Sequence, residues 1–339
     1  MQTRLVTAAC CVVAAAASQA QQVQPALIPH ADWDCYMPSG IPAPEDGEPV
    51  FTIEVPLERA VAVGQTQYGE RSIAVGLSGT LSGPRLSANV FAGTLDFALE
   101  LANGTVEIEQ TMVLQTNGGS FIFVRNQGVG PDESDLRVVM DFEAPNDSEL
   151  AWLNSGRFVA RRQLDASGEM LRLSVFDVAD VPATSTNAIV IAKPAGIPAQ
   201  PWDYRSKTAG ETEAAVLITE NVTLAPGQMV GPSKRGNRNI IPITGGTVTG
   251  RISGQVLMGG ADYQILTPPA TIDAHYLWQT DDGEIIIVRN GGAFGSLVPT
   301  FETRVDGPYA YLNSGLYLSS NPGVGQDGVS LTFYESSTQ

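Results

Sequence analysis

The chemistry open to this 339-residue chain is narrow. It carries two histidines, His30 and His275, and three cysteines, so a zinc site built on His or Cys cannot be assembled and no metal is expected. A Ser-His-Asp triad would have to use one of those two imidazoles, and no nucleophile-elbow sequence accompanies them. The glycine-rich segments join strand to strand rather than strand to helix, which excludes a phosphate loop and leaves no cofactor to expect. What remains is a set of charged and amide side chains in the second half: Arg238, Asp262, His275, Arg289, Asn290, Glu302 and Asn313.

Each has a structural and a chemical reading. Asp262 follows two glycines that allow a strand to bend; it is either a turn-capping carboxylate or an acid at a barrel mouth or lumen, paired with Arg238 or Arg289. His275 shares a strand face with Thr271, Asp273 and Gln279. That face is expected to meet solvent, the alternative being a polar lumen where Asp273 orients His275 as a general base. Arginines recur in both halves (Arg71 with Arg238, Arg125 with Arg289), as do Glu143 and Glu302. A repeated Arg–Glu pair inside each half is the simplest account of them. Asn154 and Asn313 follow an aromatic–Leu pair and are expected mid-strand, bonding a backbone group or facing a cavity.

The elements that must hold these groups are strands. Residues 105–115 alternate Val106, Ile108, Met112 and Leu114 against Glu107, Glu109, Thr111 and Val113, the period of a strand with one buried face. Residues 120–126, 271–280 and 284–290 read as further strands. Turns are expected at Asn103-Gly104, at Asn117-Gly118-Gly119 and at Asp281-Asp282-Gly283. No sustained three-and-four apolar spacing suggests more than a few helical turns, and 35 glycines and 22 prolines punctuate short runs, as in closed antiparallel sheets.

The halves are copies. Ile28-Pro29-x3-Trp33-Asp34 returns as Ile197-Pro198-x3-Trp202-Asp203. Val63-Gly64-x4-Gly69-x-Arg71-x-Ile73 returns as Val230-Gly231-x4-Gly236-x-Arg238-x-Ile240, and Gly79-Thr80 returns as Gly246-Thr247. Val124-Arg125-Asn126 matches Val288-Arg289-Asn290, and Trp152-Leu153-Asn154-Ser155-Gly156 matches Tyr311-Leu312-Asn313-Ser314-Gly315. The expected fold class is all-β: two tandem antiparallel β-barrel domains, residues 21–181 and 202–339, packed with pseudo-two-fold symmetry. Residues 182–201, rich in Pro, Ala, Ser and Thr, read as the linker.

The second copy, with Gly236-x-Arg238, Gly245-Gly246-Thr247, Gly259-Gly260-Ala261-Asp262, Thr280-Asp281-Asp282-Gly283, Val288-Arg289-Asn290 and Tyr311-Leu312-Asn313, resembles the domain of unknown function 3237 family. The likeness covers most of residues 214–336 and more loosely 48–178. It implies a small antiparallel barrel of roughly eight to ten strands and carries no biochemical activity over. The first copy departs from the pattern at Thr94-Leu95-Asp96 and Asn117-Gly118-Gly119, so the second is the better candidate for a site.

Residues 1–20 read as a secretory leader, with Arg4, the uncharged run Leu5–Ala17 and Ser18-Gln19-Ala20 ahead of the cut. Cys10 and Cys11 leave with it, and Cys35 is expected as a buried thiol without an intramolecular disulfide partner. Asn103, Asn146 and Asn221 begin glycosylation sequons. The chain has 19 Lys and Arg against 36 Asp and Glu, a balance that repels nucleic acid and anionic membranes, so neither is an expected partner. The expected state is a monomer of two pseudo-symmetric barrels or a dimer of these. Three functions fit: a secreted module binding a small molecule in a barrel, ranked first; a cofactor-independent cyclase, isomerase or hydrolase using the second barrel; and an interaction protein with plugged barrels.

Overall fold

The computed structural model describes residues 41–42, 48–102, 104–131, 133–181, 188–189, 205–325 and 327–338. The expected leader, His30, Cys35, Asn103 and the linker, apart from the pair at 188–189, lie outside these. In chain order, β1 (Ile41–Pro42) is followed by β2 (Phe51–Gln65), β3 (Glu70–Gly76), β4 (Thr80–Ser82), β5 (Ser87–Glu100) and β6 (Val106–Thr116). Then come β7 (Phe121–Gly130), β8 (Asp135–Glu143), β9 (Phe158–Leu164), β10 (Met170–Asp177) and β11 (Ala188–Ile189), the last pairing with β1. The second half holds β12 (Glu211–Leu224), β13 (Gln228–Ser233), β14 (Gly236–Gly250), β15 (Gly254–Val256), β16 (Ala261–Ile265) and β17 (Thr271–Thr280). It ends with β18 (Ile285–Ala293), β19 (Val298–Glu302), β20 (Tyr317–Ser319), β21 (Gly323–Val324) and β22 (Gly328–Thr338).

The first half is a closed antiparallel barrel of eight strands. Its order β10-β9-β8-β7-β6-β5-β3-β2 returns to β10, and β4 bridges β2 and β5. Closure removes the unpaired edges that an open sheet would expose. The second half follows the same path, β19-β18-β17-β15-β14-β12-β22-β20, with β16 between β14 and β17. Its ends meet without a ladder, joined by the Ser319 N–H donating to Leu297 O at 3.2 Å. The repeated Gly-Thr motif has a steric reason. A Cβ on Gly79 would lie 2.4 Å from Glu54 O and one on Gly246 2.2 Å from Asn221 O, so the strands can cross closely only at glycine.

Alternation turns apolar side chains into each lumen. Phe51, Ile53, Met112, Leu114, Met140, Phe142 and Phe158 pack the first, and Ile218, Val222, Ile272, Trp278, Val288 and Phe333 pack the second. The opposite faces are not solvent faces. In β6 and β17 they pack against the other barrel, where Val75, Leu95 and Phe97 meet Leu257, Leu277 and Ile287. Val113 and Phe123 meet Ile240, Ala261 and Tyr263 there. The face holding Glu109 and Thr111, and the face holding His275, are therefore buried by the neighbouring copy.

The contact between barrels is reciprocal. The Arg71 guanidinium donates to Glu302 (2.9 and 3.2 Å) and that of Arg238 to Glu143 (3.0 and 2.7 Å). The Thr66 hydroxyl donates to Glu302 and the Ser233 hydroxyl to Glu143, each at 2.8 Å. Val305 N–H donates to Gln65 O, and Asn146 N–H to Pro232 O. Every one of these contacts is matched by its repeat equivalent, which is the signature of a two-fold interface. The recurring Arg–Glu pair thus links the two barrels rather than closing each one, a correction to the sequence expectation. Asn154 and Asn313 are also corrected. They lie in short helical turns, Trp152–Ser155 and Ala310–Asn313, each amide bracketing the backbone N–H and C=O of one residue, Ala144 and Thr303 respectively.

Candidate functional site in the second barrel

The second lumen is not filled. A cavity sits among Glu220, Asp262, Tyr276 and Asn290, walled by Ile243, Ile272, Ala274, Leu297 and Leu331. It is narrow: only about 20 Å³ can seat the centre of a water-sized sphere, room for about one water molecule without movement of the walls. Leu297 and Pro322 place one side of it against the seam where β19 and β20 lack a ladder.

Four polar side chains reach this space from four strands. Glu220 stands on β12 between Ile218 and Val222, on the face that alternation turns inward. The Tyr276 hydroxyl donates to its Oε1 at 2.6 Å and Trp278 Nε1–H to its Oε2 at 2.9 Å. Burial pushes its pKa up, the two hydrogen bonds lower it in part, and the nearby Asp262 charge raises it again, to about 7. Asp262, on β16, has no hydrogen-bond partner among the described residues, and burial alone pushes its pKa up to about 6. Burial, with Glu220 beside it, keeps Tyr276 protonated far above neutral pH. Asn290, on β18 and 3% exposed, donates through Nδ2 to Ser319 Oγ at 3.0 Å, which leaves its buried Oδ1 without a partner.

Of the side chains singled out in the sequence, only Asp262 and Asn290 meet here. Arg238 and Glu302 belong to the reciprocal pairs between barrels. Arg289 bonds Glu109 of the first barrel at 2.8 Å and lies over the Phe97 ring, 4.8 Å from its centroid. His275 is 4% exposed, its Nε2 2.6 Å from Asp273 Oδ1 and its ring against Tyr263. Burial raises the Asp273 pKa, but His275, Arg289 and Arg125 outweigh it and hold that carboxyl below its usual range. His275 is buried on the face toward the other barrel rather than set in a lumen, and its Asp273 partner remains 36% exposed. Asn313 is structural. Glu220 and Tyr276 are the site residues that sequence reasoning missed, and an acid on the apolar face of a strand was the signal for the first.

The first lumen shows what fills the same place. There Asp96 is bonded at 2.6 Å by Arg162 Nη2, and Arg162, fully buried, also donates to Glu133 O. Asn126 donates to Gln110 Oε1 at 2.8 Å. The strand registers make Asp96 the counterpart of Asp262, and Gln110 and Asn126 those of Ala274 and Asn290. Arg162 corresponds to Asn321, which is exposed and accepts from Gly295 N–H in a loop. The second barrel has lost the guanidinium and the glutamine and kept the aspartate and the asparagine.

Among known proteins, the model of the protein family of unknown function DUF3237 matches residues 46–178 and 213–296. A UPF0311 protein of Bradyrhizobium diazoefficiens is 48% identical over 64 residues, 18% of this chain and 42% of that protein. A UPF0311 protein of Rhodopseudomonas palustris is 42% identical over 83 residues, 24% of this chain and 54% of that protein. The alignments thus span about half the length of these relatives. Among solved structures, a protein of unknown function from Clostridium acetobutylicum is 22% identical, covering 39% of this chain and 99% of its own, with a TM-score of 0.35. A β-barrel-like protein from Acinetobacter baumannii is 20% identical, covering 40% of this chain and 97% of its own, with a TM-score of 0.35.

Proposed function

The chain belongs to the DUF3237 family of proteins of unknown function, carried in two tandem copies, and from that starting point we propose that its second barrel binds a small molecule. One observation carries the reading: the partly exposed carboxylate of Asp262, with no hydrogen-bond partner among the described residues, and the buried Asn290 Oδ1 line a cavity at a place where the first copy's equivalent carboxylate, Asp96, is bonded by its own Arg162. Leaving a buried acceptor unsatisfied costs about 1–3 kcal/mol, so such groups mark the place where an outside partner restores the bonds. The first barrel serves as scaffold and covers much of the second barrel's outer face at β16 and β17. An acid–base enzyme is the second reading, favoured by the contact between Tyr276 and a Glu220 that titrates near neutrality. The reading further takes the protein to be exported, on the strength of residues 1–20, and to act without nucleic acid, membrane or cofactor.

The test is a ligand-observed NMR screen of small donor-bearing fragments against the native chain and against Ala274→Gln, which restores the first copy's glutamine and fills the cavity. Fragments that bind the native chain and not the variant support the reading. Equal binding to both, or none to either, refutes it.

A further inference from the structure

Barrel one is a built-in record of what this lumen accommodates. Its Asp96 meets a guanidinium, the Arg162 head group, inside an apolar wall at 2.6 Å with no exposure to solvent. Barrel two keeps the carboxylate as Asp262, and among the described residues no Lys, Arg or His lines its cavity. Asn321, which takes Arg162's place when the repeat is counted two residues past the end of β20, is turned out to the Gly295 loop. Opposite the carboxylate stands a second acceptor, Asn290 Oδ1, on a side chain 3% exposed and without a partner. Glu220 adds a third acceptor group already engaged by Tyr276 and Trp278. The free polar atoms are therefore all acceptors, and the occupant must bring donors.

We infer that the second barrel takes a small molecule bearing a guanidinium group, seated where Arg162 sits in the first barrel, bonded to Asp262 and reaching Asn290 Oδ1. A planar, donor-only cation with a fixed fork matches a carboxylate better than a point-charge ammonium does. Its charge also answers that of a carboxylate that has no cation of its own in the cavity. Because the cavity as it stands has room for about one water, the walls at Ile243, Ile272, Leu297 and Leu331 part to admit the guanidinium, and the rest of the ligand is short. The seam between β19 and β20 is the side from which it enters.

This inference rests on the binding reading above, and the experiment separates the two. Methylguanidinium and N-methylurea, a neutral molecule of nearly the same shape, are titrated against the native chain by calorimetry and NMR. The same titrations are run on Asp262→Asn, which retains the size of the side chain. The expected result is methylguanidinium binding at least 10-fold tighter than N-methylurea, a preference on the order of a charge-assisted hydrogen bond. That preference is lost in Asp262→Asn. Equal or tighter binding of N-methylurea by the native chain overturns the guanidinium inference and leaves small-molecule binding standing. A preference that survives in Asp262→Asn also overturns it, because the cation is then held elsewhere. No binding of either probe, together with an empty fragment screen, overturns both.

Discussion

Replacing Asp262 by asparagine removes a charge and preserves the shape of the side chain, so its effect on stability isolates the cost of burying that charge. The folded-state pKa of Asp262 is about 6 against an ordinary 3.8. The folded state therefore holds this proton more tightly than the unfolded chain does. The stabilisation this confers is complete below about pH 4 and is lost as pH rises through about 6. At about 1.4 kcal/mol per pH unit across that interval, the ionised carboxylate costs the empty barrel about 3 kcal/mol at pH 8. Asp262→Asn is expected to recover most of it. Urea unfolding at pH 4.5 and pH 8, with the second barrel's transition followed by hydrogen exchange, measures the difference. The variant should be more stable at pH 8 by up to about 3 kcal/mol and gain much less at pH 4.5. A variant that is less stable at pH 8, or whose gain is the same at both pH values, refutes the account of Asp262 as an unpaired acid whose ionisation the barrel wall makes costly.

Other expectations concern the contact between barrels and the turns. Arg71→Met leaves Glu302 buried with only Thr66 as a hydrogen-bond partner in the reciprocal set, and should cost about 3–5 kcal/mol by chemical unfolding; a loss below 1 kcal/mol would contradict the buried-pair geometry. Asp141 and Glu143 are held below their usual range by Arg125, Lys234, Arg235 and Arg238, which outweigh burial. Their stabilisation is present above about pH 4–5 and is lost as pH falls through the lowered values, so small-angle scattering should show the barrels separating only in stronger acid. Gly260→Ala places a Cβ 2.0 Å from His275 O at φ +78° and should cost more than about 2 kcal/mol. Gly283→Ala, at φ +92° with nothing within 4 Å, should cost only about 1–2 kcal/mol; thermal melts rank the two. In a glycosylating host, peptide mass spectrometry should find sugar on exposed Asn221 and not on Asn146, whose Nδ2 donates to Ser233 O across the interface.

The duplication and the strand alternation were legible because both are local. The Gly-Thr repeat marks a close crossing, and the turns at Gly119 and Gly283 have the positive φ their sequences ask for. What alternation could not say is what lies on the polar side of a strand. Glu109 and His275 read as solvent-facing or lumen-facing, and a second copy of the fold buries them instead. Repeat matching likewise identifies Arg71 and Glu143 with Arg238 and Glu302 but not which Arg meets which Glu. Only the packing of copies decides that, across 231 residues for Arg71 and Glu302. Trp152-Leu153-Asn154 and Tyr311-Leu312-Asn313 read as strand because a short apolar run fits a helical turn equally well. The site itself was half visible. Asp262 and Asn290 stood out by motif, whereas Glu220 was readable only as an acid in register with Ile218 and Val222. The vacancy left by Gln110 and Arg162 in the second copy emerged once strand registers aligned the two lumens.

The most direct test is a crystal structure of the chain soaked in the tightest-binding fragment from the screen, with electron density compared in the two lumens. The account predicts density for the fragment between Asp262 and Asn290 of the second barrel and none in the first, where Asp96 holds Arg162. Density only outside the second lumen, or between the barrels around His275, would contradict it.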